Sequence, residues 1–576
     1  MARSPESIDD VPLEGHITNV ERHDNVLRLA DTNIRKLSVI NPDIAHLTLE
    51  AKLATDSEKT MTLRQAFPLY KKAMAFSVIF STAIIMEGYD TALIGAFYAF
   101  PPFQKKYGEF VDAETGYQIP ARWQTGLSNG ALVGEILGLA AAGIIVDRFG
   151  YKKTMMASLM MMIAFIFIPF FSQNLVTLLI GDILQGVPWG VFQTMTTAYA
   201  SEVCPVQLRA YLTTYVNLCW VFGQLIATGV LTSMLKRSDQ WAYRIPFAIQ
   251  WMWPVPILIG VTLAPESPWW YVRHNRVDEA KVALRKLTSQ NYAAAAGFDV
   301  DATIAMYVHT NEIERQSAEK TSYLQCFKGT DLRRTEIVSM VWIIQTLCGS
   351  GLMGFSIYFF ESAGLTASGA FNLGMGQYAL GAVGTIASWF LMSWIGRRTL
   401  YCYGLGILTV LLIVIGGLGV PTLVKNGPLG WGIGACILIY TFVYDLTIGP
   451  VCYSLVAELS STRLKAKSIV IARNLYNVAG LINNALTPNM INPTAWGWGG
   501  KAGFFWCGIC FLCWVWTFFR LPEPKGRTYG ELDVLFEHKV PARQFSTTHV
   551  DQFSGNHLEI VQDHFEKAAY TTQHKE

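Results

Sequence analysis

Met86-Glu87-Gly88-Tyr89-Asp90 places two carboxylates three residues apart inside residues 73–100, an apolar run long enough to cross a bilayer. A spacing of three sets Glu87 and Asp90 on one face of a helix. A charge at membrane depth costs roughly 2.5–3.5 kcal/mol on insertion scales, so such residues face a cavity or a partner and mark function. The competing reading is a structural polar pair between helices.

The rest of the chain is equally membrane-like. Of 576 residues 51% are hydrophobic and only 15% charged, where a soluble domain carries about 25% charged residues. A net charge of +2 gives no footprint for nucleic acid. The N-terminal stretch is polar, with no short apolar region before a cleavage site, so a removable signal peptide is not expected. Most of the ten cysteines lie in apolar runs, and no disulfide framework is implied. Cys507-x-x-Cys510-x-x-Cys513 has metal-like spacing, but it sits in apolar residues 504–519 with no polar groups to support ligands. We read these cysteines as small packing residues.

Twelve spanning helices are expected, at 73–100, 124–146, 154–172, 177–199, 211–232 and 244–264, then 336–360, 372–393, 399–420, 430–456, 467–490 and 502–520. Each is near the ~20 residues needed to cross ~30 Å of hydrocarbon. Residues 181–199 read as a Gly/Pro-broken member, tolerated only where its backbone is shielded from lipid. This gives an all-α membrane protein: tail 1–72, six-helix bundle 73–264, linker 265–335, six-helix bundle 336–520 and tail 521–576. The basic loops Asp147–Lys153, Arg397-Arg398 and Arg463/Lys465/Lys467 fall on one side, which the positive-inside rule makes cytosolic together with both termini. Val277, Ala280, Leu284 and Leu287 recur at helical spacing, so the linker should hold a short amphipathic helix. The tail after Glu531 reads as polar and mobile.

The two halves repeat at offsets of about 250 residues. Ser201-Glu202-Val203-Cys204-Pro205-Val206-Gln207-Leu208-Arg209-Ala210 aligns with Ala457-Glu458-Leu459-Ser460-Ser461-Thr462-Arg463-Leu464-Lys465-Ala466. Gly150-Tyr151-Lys152 echoes Gly396-Arg397-Arg398, and Pro265-Glu266-Ser267-Pro268 echoes Pro522-Glu523-Pro524. Two halves of like orientation place a site at their interface, near the midplane.

These motifs in this order, with Gly223-Gln224-Leu225 and Gly449-Pro450…Glu458, resemble the sugar porter branch of the major facilitator superfamily over about residues 73–535. Met86–Phe100, Pro188-Trp189-Gly190 and Ala472-Arg473-Asn474-Leu475-Tyr476-Asn477 resemble the fungal α-glucoside (maltose-type) permeases within it. The resemblance implies alternating access, a sugar and protons as partners, a lipid bilayer, a monomer, no cofactor and a plasma-membrane location. It implies gating pairs among Arg148, Glu202, Arg209, Arg397, Glu458 and Arg463. Glu202 with Arg209, or Glu458 with Arg463 and Lys465, would pair across helix ends when the inner gate closes. It implies a sugar site that includes Gln224, Gln345, Tyr453 and Asn477, each of which an interhelical hydrogen bond would also explain.

The departures from the family pattern carry information too. The usual seventh-span Gln-Gln-x-x-Gly-x-Asn reads Gln345-Thr346-Leu347-Cys348-Gly349-Ser350-Gly351 here, which leaves room for a larger sugar. The fourth-span position commonly holding an arginine is Asp182, while Arg473 supplies a base on the eleventh span and Glu135 an acid on the second. We expect Asp90, with Glu87 or Glu135, to exchange a proton opposite Arg473, and a structural role for Asp445. A hexose or other disaccharide carrier is an alternative, as is a sugar sensor that does not transport. No phosphate loop, nucleophile elbow or metal cluster marks an enzyme in the polar segments.

Overall fold

The computed structural model describes residues 61–550 and 558–560, apart from short breaks at 113–115, 296–297, 319–322, 422–426, 461–463, 526 and 528. The first half comprises Lys71–Phe97, Ala121–Phe149, Tyr151–Phe171, Leu175–Val203, Val206–Met234 and Trp241–Leu263. The second half opens on a seventh span in three pieces, Gly329–Leu347, Ser350–Gly354 and Ser356–Ser362. It continues with Ala367–Trp394, Arg397–Leu418, Pro428–Leu459, Lys465–Ile491 and Ala502–Arg520. The ends fall within a few residues of the expected limits, the start of the seventh span excepted. A small antiparallel hairpin, Glu109–Asp112 with Gly116–Gln118, caps the end opposite the linker. These are called the hairpin end and the linker end below.

Among the described residues nine segments are long and apolar enough to cross a membrane. The seventh, eighth and eleventh spans are not among them, and the reason is physical. All three meet the first half, at the first, fifth and second spans respectively. With one face turned to the other half instead of to lipid, they tolerate breaks and a run of asparagines there. The seventh span breaks at Gly349, whose φ of 102° is open to glycine and strained for other residues.

The fourth span corrects one expectation. Residues 181–199 lie in an unbroken helix, Leu175–Val203, with Pro188 inside it. Small residues set its packing. A Cβ on Gly134 or Gly138 would collide with the carbonyl oxygens of Ile183 or Val187, and one on Gly186 or Gly190 with those of Ala131 or Glu135. Two glycine stripes at four-residue spacing thus let the second and fourth spans cross backbone to backbone, the close approach that drives helix association in lipid. Gly88 and Gly223 do the same for the first and fifth spans, against Trp220 and Ile85.

The linker carries the expected amphipathic helix, Val277–Leu287, with Ala280, Ala283, Leu284 and Leu287 buried. The tail corrects a second expectation over residues 532–545, which are docked. Leu532, Leu535, Phe536 and Phe545 are at most 1% exposed. Arg334, itself 3% exposed, bonds the Asp533 carboxylate and donates to the carbonyls of Leu459 (3.0 Å) and Ser460 (2.9 Å). The apolar spacing of four residues closed by an aromatic was present in the sequence, masked by its charged neighbours. Removing one partner of a buried ion pair costs roughly 3–5 kcal/mol. Arg334→Ala should therefore lower the thermal midpoint of the detergent-purified protein by several degrees, and Asp533→Asn by less.

Candidate functional site

The acids of the opening stretch are both 1% exposed, but they face different partners. The Glu87 carboxylate accepts a hydrogen bond from Gln193 of the fourth span. It also lies close enough to Glu135 and Arg473 to feel their charges. The Asp90 carboxylate accepts from Gln250. Gln250 sits in a single 3-10 turn, Gln250–Met252, where the sixth span breaks ahead of Pro254. The broken backbone is what turns this amide toward the first span. Asp182 is 1% exposed, and neither of its carboxylate oxygens has a hydrogen-bond partner among the described residues.

Arg473 does not pair with Asp90 or Glu87. Its guanidinium bonds Glu135 of the other half at 3.4 Å, and Asn477, one turn further along, donates to the same carboxylate oxygen at 3.3 Å. Of the three acids expected opposite Arg473, the cation pairs with Glu135, and glutamines answer Glu87 and Asp90 in place of the cation. From this rung a ladder of cross-half bonds runs to the hairpin end. Asn129 donates to the Leu481 carbonyl (3.3 Å), Asn484 to that of Ser128 (3.1 Å) and Asn492 to that of Ile119 (3.0 Å). Tyr98 of the first span packs on Phe355 and Tyr358 of the seventh.

At the linker end the charged motifs pair inside their own halves. Glu202 accepts from the Tyr151 hydroxyl (2.8 Å), Ser267 and Arg273 (2.5 Å). The expected Glu202–Arg209 pair is absent, and the buried Arg209 Nε has no hydrogen-bond partner among the described residues. Glu458 meets Arg397 at 3.3 Å. Arg148 lies over the Phe149 ring. Arg463 falls outside the described residues. Glu266 receives the backbone N–H groups of Tyr151 (2.9 Å) and Lys152 (3.0 Å), and Glu523 that of Arg397 (2.8 Å). The repeat seen in sequence thus recurs as the same contact in each half. Burial outweighs those bonds at Glu266 and pushes its carboxyl up from the ordinary range.

The expected sugar contacts scatter. Gln224 and Tyr453 are half-buried, and Tyr453 packs against Trp342 with ring centres 5.0 Å apart. Gln345 is buried and spends its amide on the Gly449 carbonyl at 2.9 Å, the interhelical bond named as its alternative role. Asn477 is buried against Glu135. Asp445 lies 3.5 Å from Asn217 across the seam. Sequence reasoning missed Gln193, Gln250, Trp342 and the ladder asparagines Asn129, Asn484 and Asn492. Only the polarity of the eleventh span could have signalled the ladder. Cys510 takes a hydrogen bond from Thr409, and among the described residues no group of His, Cys, Asp and Glu is placed to hold a metal ion.

Residues 75–536 match the family model described as "Sugar (and other) transporter". A general alpha-glucoside permease of Saccharomyces cerevisiae is 41% identical over 541 residues, covering 93% of this chain and 86% of that protein. A maltose permease of Saccharomyces cerevisiae is 42% identical over 521 residues, covering 89% and 84%. Among solved structures, the proton:xylose symporter XylE bound to 6-bromo-6-deoxy-D-glucose superposes with a TM-score of 0.65 at 20% identity, covering 81% of this chain and 99% of that one. The partially occluded inward open form of XylE from E. coli gives 0.64 at 18%, covering 80% and 100%. The solved structures share the fold, two six-helix halves of the major facilitator type. With family match and relatives both spanning most of its length, the chain belongs to the sugar transporter family.

Proposed function

We propose that this protein is a proton-coupled symporter that imports α-glucosides such as maltose by alternating access. The observation that carries the reading is the Glu135–Arg473 pair bridging the halves at membrane depth beside buried Glu87 and Asp90. A passive carrier needs no titrating groups there, and their cost in hydrocarbon asks for a function. The relatives named as alpha-glucoside and maltose permeases supply the substrate class.

In this reading Asp90, Glu87 and Glu135 are the proton-exchanging acids and Arg473 is their cation. Gln224, Gln345, Tyr453 and Asn477 contribute to the sugar site. Arg148, Glu202, Arg209, Arg397, Glu458 and Arg463 form the gate at the linker end. In support of that gate, its acids pair within their own halves here while the hairpin end is laced shut. The two six-helix bundles rock about the seam as a monomer. The protein lies in the plasma membrane with both termini cytosolic, a placement supported by Lys152, Lys153, Arg397 and Arg398 at the linker end.

One charge moving down ~100 mV releases about 2.3 kcal/mol, and one pH unit adds roughly 1.4 kcal/mol. At one proton per sugar these allow accumulation on the order of several hundredfold. The test is sugar-induced alkalinisation of the medium around cells expressing the chain, over maltose, maltotriose, glucose and xylose. Maltose and maltotriose should alkalinise the medium, and Asp90→Asn should abolish the signal and the dependence of uptake on external pH. Full uphill uptake by Asp90→Asn would remove Asp90 from the mechanism, and alkalinisation by glucose alone would replace the substrate class.

A further inference from the structure

Two aromatic rings of the second half hold the seam cation, and a third backs them. The Arg473 guanidinium sits 4.8 Å from the ring centre of Trp342 and 4.5 Å from that of Tyr476. Trp342 in turn packs edge-on against Tyr453 and Tyr476, at 5.0 and 5.5 Å between ring centres. Trp342 belongs to the seventh span, Tyr453 to the tenth, and Tyr476 lies one turn beyond Arg473 on the eleventh. A cation over an aromatic face gains most where water is excluded, and Trp342 is only 5% exposed.

Its partner is anchored to the opposite half. Glu135 stands between Gly134 and Gly138, in the backbone-to-backbone crossing of the second and fourth spans. The groups facing the pair are Glu87 and Gln193 from the first and fourth spans, Tyr453 from the tenth, and Asn477 and Tyr476 from the eleventh. Arg473 is the cation among them.

We propose that Trp342 and Tyr476 are positioning residues that bind Arg473 to the second half, so that opening of the hairpin end strips Glu135 of its counter-charge. The arginine stays with its rings and does not follow the carboxylate. The exposed Glu135 carboxylate then takes one H⁺ from water on the hairpin side. Closure, the state seen here, returns the guanidinium and expels that H⁺ to water at the linker end. The arginine remains protonated throughout, so one proton crosses per turn. This deepens the proposed function and rests on it.

The test uses the full-length protein in proteoliposomes, with two readouts: maltose counterflow with all gradients collapsed, and accumulation driven by an imposed pH difference. Trp342→Phe and Tyr476→Phe keep the ring faces and should stay within about twofold of the parent in both readouts. Trp342→Leu and Tyr476→Leu should keep counterflow within about threefold while accumulation falls at least tenfold. Leucine variants that accumulate sugar normally would overturn the clamp. So would a parallel loss of counterflow and accumulation in properly folded leucine variants, which would mark the rings as part of the sugar site or core. Should both leucine variants fail to fold, the phenylalanine variants decide: normal coupling supports the ring faces, and lost coupling overturns them. If the parent protein exchanges maltose but never concentrates it, the symport reading fails, whatever the rings do.

Discussion

In Arg473→Gln, sugar no longer accumulates against its gradient: a ratio of several hundredfold collapses to about one. The side chain is 14% exposed, bonds Glu135 at 3.4 Å and lies over two rings. Glutamine keeps some hydrogen bonding and removes the charge. Glu135 and Glu87, both of the first half, then lie near each other with no cation beside them, an arrangement in which two carboxyl groups share a proton and hold it. A proton that never leaves cannot drive a cycle. Leaving a buried charge unpaired also costs roughly 3–5 kcal/mol, so the variant should unfold earlier in a thermal scan. Glu135→Gln in the same chain should recover the thermal midpoint and not the accumulation, since it removes the stranded acid without restoring the exchange. Uphill uptake in either variant above about a tenth of the parent's would contradict the assignment.

The second large effect is on assembly. In Gly134→Leu the new side chain begins at a Cβ that would strike the Ile183 carbonyl oxygen and lie 2.9 Å from the Gly186 Cα. Both obstacles are backbone, so no rotamer change relieves them, and the helices must move apart along their whole crossing. Overpacking costs typically 1–3 kcal/mol and more when backbone must shift. Here it also removes the close approach that stands in for the hydrophobic effect between helices in lipid. Surface expression of a fluorescent fusion should fall about tenfold or more. Gly126 and Gly143 lie on the same helix with nothing within 4 Å of their missing Cβ, so Gly126→Ala and Gly143→Ala should express normally. Equal loss in all three variants would show that crossing geometry is not the cause.

Those two effects also mark what could be read in advance. The acids at 87, 90 and 135 and the base at 473 were visible because each interrupts an apolar run, and interruption is a property of the linear chain. Which of the three acids would pair with Arg473, and that Glu87 and Asp90 would be served by Gln193 and Gln250, was not visible. Neither glutamine stands out in its own span, and Gln250 reaches Asp90 through a turn that breaks the sixth helix. The Glu202–Arg209 expectation failed for a related reason. Charge complementarity picks possible partners, but Arg273 from the linker arrives closer.

Residue order alone determined the twelve apolar stretches, their duplicated halves and the depth at which ionisable groups sit. Hydrocarbon admits only apolar, internally bonded helices, so length and hydropathy suffice for that much. Which acid meets which base was decided only in three dimensions. It depends on how each helix is rotated about its axis and how closely neighbours cross, and those are set by glycine contacts between residues some fifty to well over a hundred positions apart, such as Gly134 with Gly186 and Gly88 with Gly223.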